Sequence, residues 1–461
     1  MLWEQSIQYG SISDVGFRRR NNQDALIVQV CPDRATWNEH GHLFLISDGM
    51  GGHAVGELAS KITVDTLPQT FFKSRGSNVA AALQEAIEVA NAAVYERGTA
   101  NHDFQKMGTT CSALVLSPAG AVIGHVGDSR VYRISEDRID QLTFDHSLQW
   151  ELIRRREMSP EDVLLHEPRH VITRSLGPEP RVNVDIEGPY PVQLGDIFLL
   201  CSDSLTGHVN DAEIGTIARE LPPGDACCLL VSLANLRGGS DNVSVVIVRA
   251  GEIPPGLHAD QDPAQAAREA ATSWSWLAAY WAIAIMFLVG VSLTLFEKTT
   301  LGTTCAALAM MAILTIIVLR LKKRLRRQPG GETAETVLWK PYRTASARLN
   351  LKFLRHLAAV AAELQRTATE EGWLIDWVRH EQASNDAQRA YAARRYSQAF
   401  RDYAKVIEAL MVGLNQFRKQ LHHNVRWGKT PLAPTQKSNG AGGQRDNATG
   451  TAGSEGTSMH R

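Results

Sequence analysis

The sequence predicts an α+β fold, a sandwich with helices packed outside sheets, followed by two transmembrane helices and an all-α carboxy-terminal region. Three observations carry this expectation. Short β-type runs and grouped helical stretches fill the chain to about residue 250, two long uncharged segments follow, and helical periodicity resumes at about 333. At 461 residues the chain is too long for one ordinary domain. The expected division is a first domain at 1–251, a linker at 252–273, helices at 274–296 and 299–319, a basic segment at 320–332, a helical region at 333–432 and a disordered tail at 433–461.

In the first domain, strands are expected at 6–13, 25–30, 43–47, 110–116, 121–126, 130–134, 196–202 and 243–249, most of them rich in Val, Ile and Leu. Helices are expected at 55–72 and 78–97, where Ala82, Ile87, Ala90 and Val94 recur at helical spacing. Pro118-Ala119-Gly120 has hairpin length, so much of the sheet should be antiparallel. Pro254-Pro255-Gly256 marks the linker.

The two uncharged segments hold 23 and 21 residues, separated by Glu297-Lys298. Each is long enough to cross a hydrocarbon core of about 30 Å, and Trp274, Trp276 and Trp281 sit where an interfacial belt would be. Immediately after them, Arg320 to Arg327 carries six basic residues in eight. The positive-inside bias puts that end in the cytoplasm, and two crossings return the first domain to the same side. The expected location is therefore the cell (inner) membrane, with catalytic and carboxy-terminal regions cytoplasmic and the lipid bilayer as a partner. Beyond it, Leu349, Phe353, Leu354, Leu357, Val360 and Leu364 share one helix face. Tyr391, Tyr396, Ala399, Tyr403 and Ile407 resemble one tetratricopeptide unit, but no internal repeat accompanies them, so a plain helical bundle fits better. The last 29 residues hold hardly an apolar side chain.

A net charge of −1 argues against a nucleic-acid partner. The six cysteines show no paired metal spacing and read as reduced residues of a cytosolic protein. The amino terminus lacks a basic region followed by an apolar core, so no cleavable signal is expected.

Five aspartates stand in comparable surroundings. Asp24 precedes a strand, Asp48 follows one within Ser47-Asp48-Gly49-Met50-Gly51-Gly52-His53, and Asp128 and Asp203 follow two more. Asp241 precedes Asn242 and the last strand. Alone, Asp48 reads as a turn or cap residue. Together, carboxylates at several strand ends make a hard-oxygen site suited to Mg²⁺ or Mn²⁺, and their mutual repulsion favours two or more ions.

These stretches, with Met107-Gly108-Thr109-Thr110, Gly127-Asp128-Ser129-Arg130, Phe144-Asp145-His146-Ser147, Thr173-Arg174-Ser175-Leu176-Gly177, Cys201-Ser202-Asp203-Ser204 and Ser240-Asp241-Asn242, resemble the metal-dependent protein phosphatases of the type-2C (PPM) family in their bacterial form. Order and spacing match over residues 6–249. The resemblance implies a four-layer αββα sandwich with Mn²⁺ or Mg²⁺ at one edge of the sheets. It makes Asp48 the ligand bridging two ions, with the Gly49 carbonyl on the second. Asp203 and Asp241 complete the first, Asp24 holds metal-bound water, and Asp128 joins Asp203 around a third, weaker ion. Arg19 matches the arginine that grips the substrate phosphate; read without the resemblance, it is a solvated member of Arg18-Arg19-Arg20. The implied reaction is hydrolysis of phosphoserine or phosphothreonine in proteins, by a metal-bridging water and without a phosphoenzyme.

Residues 149–170 correspond to the flap beside the site, and His146 and His166 are expected to be structural. Met50 stands where many eukaryotic relatives place an acid histidine, Gln23 where many have glutamate, and Ser204 where glycine is usual, which would be strained at positive φ. The alternative function is a signalling scaffold with a weak phosphatase domain and a helical region that binds a protein partner.

Overall fold

The computed structural model describes residues 6–51, 54–74, 78–104, 106–155, 171–251 and 341–426, with scattered positions between 281 and 308. The expected linker, both expected membrane helices, the basic segment and the tail lie almost wholly outside the described residues. Among the described residues no helix is long and apolar enough to cross a membrane.

The strands in chain order are β1 (Gln8–Asp14), β2 (Asp24–Gln29), β3 (His42–Met50), β4 (Gly108–Thr109), β5 (Cys111–Ser117), β6 (Gly120–Val126), β7 (Arg130–Ser135), β8 (Arg138–Gln141), β9 (Asp185–Tyr190), β10 (Ile197–Cys201), β11 (Val243–Arg249) and β12 (Arg343–Ser346). The helices are α1 (Arg34–His40), α2 (Ala54–Phe71), α3 (Val79–Thr99), α4 (Leu148–Arg155), α5 (Asp203–His208), α6 (Asp211–Glu220), α7 (Pro223–Leu236), α8 (Leu351–Glu371), α9 (Trp377–Ala392) and α10 (Tyr396–Arg426).

Two antiparallel sheets form, in the orders β1-β11-β10-β7-β8-β12 and β2-β3-β5-β6-β9. Strict alternation explains how they stack, because successive side chains of a strand point to opposite faces. Phe44 and Ile46 of β3 meet Phe198 and Leu200 of β10 and Val246 and Val248 of β11 in one core between the sheets. Leu43 and Leu45 turn the other way, onto α2 and α3. Leu199, Cys201, Val245 and Ile247 turn outward onto α6 and α7. The result is helices, sheet, sheet, helices, with sheet faces buried on both sides.

The carboxy-terminal region departs from the all-α expectation. Arg343–Ser346 is a strand, paired antiparallel with β8 so that Arg343 faces Gln141 and Ser346 faces Arg138. Arg-Thr-Ala-Ser has no apolar alternation to announce a strand; the open edge of β8 supplies its hydrogen-bond partners. The helices that follow join the core already formed on the outer face of the first sheet. Phe353, Leu357, Phe400, Ile407 and Leu410 pack in the same cluster as Leu199, Leu230 and Ile247. Arg401 Nε donates to the Glu220 carbonyl at 3.2 Å, and Arg348 and Arg219 both pair with Asp137. No second tetratricopeptide-like unit stands among the described residues; α9 and α10 pair and α8 packs across α10.

Because the two regions share one core, they should unfold together. Phe400→Ala removes a fully buried ring in contact with Phe353 and is expected to lower stability by about 3–5 kcal/mol. Circular dichroism and tryptophan fluorescence should report one coincident transition; two separate transitions would contradict the shared core.

Candidate metal centre

Register places the first two carboxylates. In the antiparallel pair β2–β3, Asp24 lies directly opposite Asp48. Hydrogen bonds from the neighbouring chain hold Asp48: its N–H donates to Thr110 Oγ1 at 2.9 Å, and its carbonyl accepts from Thr110 N at 2.9 Å and Thr109 Oγ1 at 2.8 Å. Gly49 follows where no side chain fits, since a Cβ would stand 2.1 Å from the Gly56 carbonyl. Its N–H donates to Gln23 O at 3.1 Å, and Gln23 Nε2 donates to Gly51 O. Gln23 thus ties the turn in place rather than offering a ligand.

The other carboxylates arrive from three separate loops. Asp128 follows β6 behind Gly127, whose φ of 117° and tight contact with Thr110 suit glycine. His146 Nδ1 accepts from the Gly127 N–H at 3.0 Å while its Nε2 meets Asp185 at 3.0 Å, so this buried histidine is structural, as expected. His166 lies outside the described residues. Asp203 opens α5, where Ser204 has helical backbone; it is not among the described non-glycine residues with positive φ, Lys106, Glu136 and Arg394, so the strain foreseen there does not arise. Asp241 sits just before β11, and Asn242 knots the loop around it. The Asn242 amide donates to the Val15 and Asn21 carbonyls, and its Oδ1 accepts from Gln23 N at 2.8 Å.

A pocket of about 690 Å³ results, lined by Arg19, Asp48, Gly49, Met50, Asp128, Asp203 and Asp241 among others. Arg19 is not simply solvated: its Nη2 donates to Asp241 Oδ2 at 2.6 Å at the pocket rim. Asp24 lies behind Asp48 rather than on the wall. Among the described residues no three His, Cys, Asp or Glu side chains close into a compact cation cluster; the carboxylates ring an open pocket.

Their proximity is electrostatically costly. Burial raises Asp48 well above the ordinary carboxyl range, and the charges of Asp24, Asp203, Asp128 and Asp241 push it further. Burial, reinforced by Asp203, lifts Asp128 to about 8. Burial lifts Asp24 to about 6 against the lowering effect of the Ser244 and Ser202 hydroxyls. Asp128 Oδ1 is buried without a hydrogen-bond partner among the described groups, and Asp24 has no cationic side chain among the causes of its shift, only hydroxyls and other carboxylates. Buried, mutually repelling carboxylates, one of them with an unpartnered oxygen, fit a hard divalent cation.

All the sequence-predicted site residues therefore meet in one place. Sequence reasoning missed the supports: Thr109, Thr110 and Asn242 stand inside recognised stretches, but polar residues beside an aspartate do not reveal which backbone groups they bind. It also missed Trp150 of α4, which faces Arg343 from beyond residue 340 across a second pocket that shares Asp128 and Asp203.

The family model described as Protein phosphatase 2C matches residues 19–150. A putative protein phosphatase 2C-type of Streptococcus pyogenes is 34% identical over 241 residues, which is 51% of this chain and 94% of that protein. The chain belongs to the protein phosphatase 2C family. The serine/threonine phosphatase stp of Listeria innocua is 35% identical over 222 residues, 47% of this chain and 88% of that one. The catalytic domain of the serine/threonine protein phosphatase PstP, solved in complex with two manganese ions, is 29% identical, with a TM-score of 0.45 over 53% of this chain and 99% of that one. This chain is a protein serine/threonine phosphatase.

The raised carboxyls give a stability test. Because Asp128 takes its proton more readily folded than unfolded, its contribution is present at low pH and lost as pH rises from about 4 towards 8. In chelator, Asp128→Asn should therefore unfold at a higher temperature than the parent at pH 8, and the gap should narrow steadily as pH falls and close by about pH 4. A parent protein more stable than the variant at pH 8 would contradict the assignment.

Proposed function

We propose that the chain is a membrane-anchored phosphatase that hydrolyses phosphoserine and phosphothreonine in proteins with two Mn²⁺ or Mg²⁺ ions. The observation that carries this reading is the convergence of Asp128, Asp203 and Asp241 on Asp48 beside Arg19 in one pocket, with Asp24 directly behind Asp48. Asp48, the Gly49 carbonyl, Asp203 and Asp241 would hold the ions, with Asp24 behind them; Asp128 and Asp203 would take a third. Bound there, such ions supply Lewis acidity and a nucleophilic water at neutral pH.

The chain's own residues do the rest. Arg19, poised by Asp241, binds the phosphoryl oxygens with a planar fork. Thr110 and Asn242 fix the backbone on either side, so the carboxylates do not relax apart. Met50 lines the pocket and offers no proton to the leaving oxygen.

Two observations support membrane anchoring. The stretches 274–296 and 299–319 carry no charged side chain. Within them, the helical positions Trp281, Ile285, Leu288, Val289 and Leu308 expose 47–67% of their surface, which suits lipid better than water. Topology adds a constraint: β11, before this segment, and β12, after it, belong to the same sheet. That shared sheet supports an even number of crossings, and the basic run after residue 319 favours a cytoplasmic side by the positive-inside bias. The exposed Leu374, Trp377 and Val378 are left for a protein partner.

The catalytic test uses the intact chain, since cutting at residue 252 would strip the outer core. With Mn²⁺ it should hydrolyse a phosphothreonine peptide, and Asp203→Ala and Asp241→Ala should each lower kcat/KM by about 100-fold or more, the scale of losing a major charge-stabilising group. No activity with Mn²⁺, or activity unchanged in both variants, would sink the reading. A reporter fused after Arg461 should appear cytoplasmic in a membrane fraction; a signal from the opposite face would contradict the hairpin.

A further inference from the structure

The peptide unit between Phe17 and Arg18 is gripped at both ends. Its N–H, on Arg18, donates to Gly239 O at 3.1 Å. Its carbonyl, on Phe17, accepts from Arg418 Nη2 at 2.7 Å. The same guanidinium lies over the Phe17 ring, 3.7 Å from its centroid. Arg418 belongs to α10, 401 residues further along the chain. That helix is itself fixed, because Phe417 packs against the outer core and meets the Trp373 ring.

Arg19 follows directly. The segment around it is pinned from the catalytic side by Asn242, which holds the Val15 and Asn21 carbonyls, and by Gly239, which also accepts from Phe17 N at 2.9 Å. Only Arg418 holds the Phe17 carbonyl from the helical side among the described contacts. Hydrogen bonds at both the carbonyl and the N–H restrict ψ of Phe17 and φ of Arg18 together, and so narrow the directions in which the chain can carry Arg19 towards the pocket. A charge-assisted hydrogen bond together with ring stacking makes a firm second grip.

We infer that Arg418 is a positioning residue for Arg19: the carboxy-terminal helix locks the Phe17–Arg18 peptide so that the Arg19 guanidinium faces an incoming phosphate monoester. The inference rests on the reading of Arg19 as the phosphate-binding side chain. It gives the carboxy-terminal region a part in substrate binding without placing any of its residues on the substrate.

The test uses the full chain in detergent with Mn²⁺, and inorganic phosphate as probe. By calorimetry, Arg418→Met should weaken phosphate binding about three- to tenfold, the scale of one net hydrogen bond. In phosphothreonine-peptide hydrolysis it should raise KM by the same factor with kcat within about twofold, the pattern of lost uniform binding. Arg418→Lys, which keeps a cation and a donor, should recover at least half of the loss. On an Arg19→Ala background, Arg418→Met should have no further effect. Arg366→Ala, at an exposed Arg366–Glu370 pair on α8, should change nothing. Unchanged phosphate binding in Arg418→Met would overturn the inference, as would an equal loss on the Arg19→Ala background. A parent protein that binds phosphate but cleaves no peptide would sink the phosphatase reading and leave Arg418 to be judged by the binding arm.

Discussion

Repulsion among five carboxylates is the constraint on which the rest of the structure turns. Two unit charges about 4 Å apart in surroundings of effective dielectric about 20 repel by roughly 4 kcal/mol. A flexible scaffold would relax by moving such groups apart. This one does not, because Asp24 and Asp48 are fixed opposite each other by strand register. β3, which carries Asp48, is buried on both faces, and β2 is half-buried at the edge of the same sheet. Each fully buried aliphatic side chain contributes about 1.5–3 kcal/mol, so two or three of the residues between the sheets offset one such repulsion. The core therefore holds the carboxylates in a high-energy arrangement that a divalent cation relieves.

The same logic extends past the catalytic sandwich. The outer face of the first sheet is covered by α6 and α7, and then by α8 and α10 from the far end of the chain. The edge of β8 is closed by β12 rather than left as an open ladder. Tyr342 donates to Glu187 and packs on Phe144, and Arg343 lies over Trp150 at the start of the flap. Elsewhere, Arg418 of α10 reaches the Phe17 carbonyl. The carboxy-terminal region thus touches both the segment that leads to Arg19 and α4, so it shares its contacts with two walls of the phosphatase domain.

Much of this was legible in the sequence, and the reason is local. Short runs rich in apolar and β-branched residues, such as Leu43 to Ile46 and Val243 to Val248, read as buried strands, and an aspartate near the end of each marks where the chain leaves the core. The site residues were legible for the same reason, since each sits beside such a run or in a motif of fixed spacing. What stayed hidden was long-range. Arg138–Gln141 and Arg343–Ser346 are strands only because each finds a partner edge. Asn242 and Thr110 look like ordinary polar residues until the backbone groups they bind are in place. Arg418 reads as one more charge on an amphipathic helix, and nothing local says that a carbonyl 401 residues earlier lies beside it. The stretches 274–296 and 299–319 are the reverse case, where composition speaks clearly and the described residues add only isolated positions.

The central claim is that these carboxylates form a divalent metal centre bridged by Asp48. Anomalous diffraction at the manganese edge, from crystals of the full chain grown with Mn²⁺, tests it most directly. The account predicts two peaks about 4 Å apart, both in contact with the Asp48 carboxylate, one also on Asp203 and Asp241 and the other on the Gly49 carbonyl. A pocket without anomalous density at saturating Mn²⁺, or peaks that avoid Asp48, would contradict it.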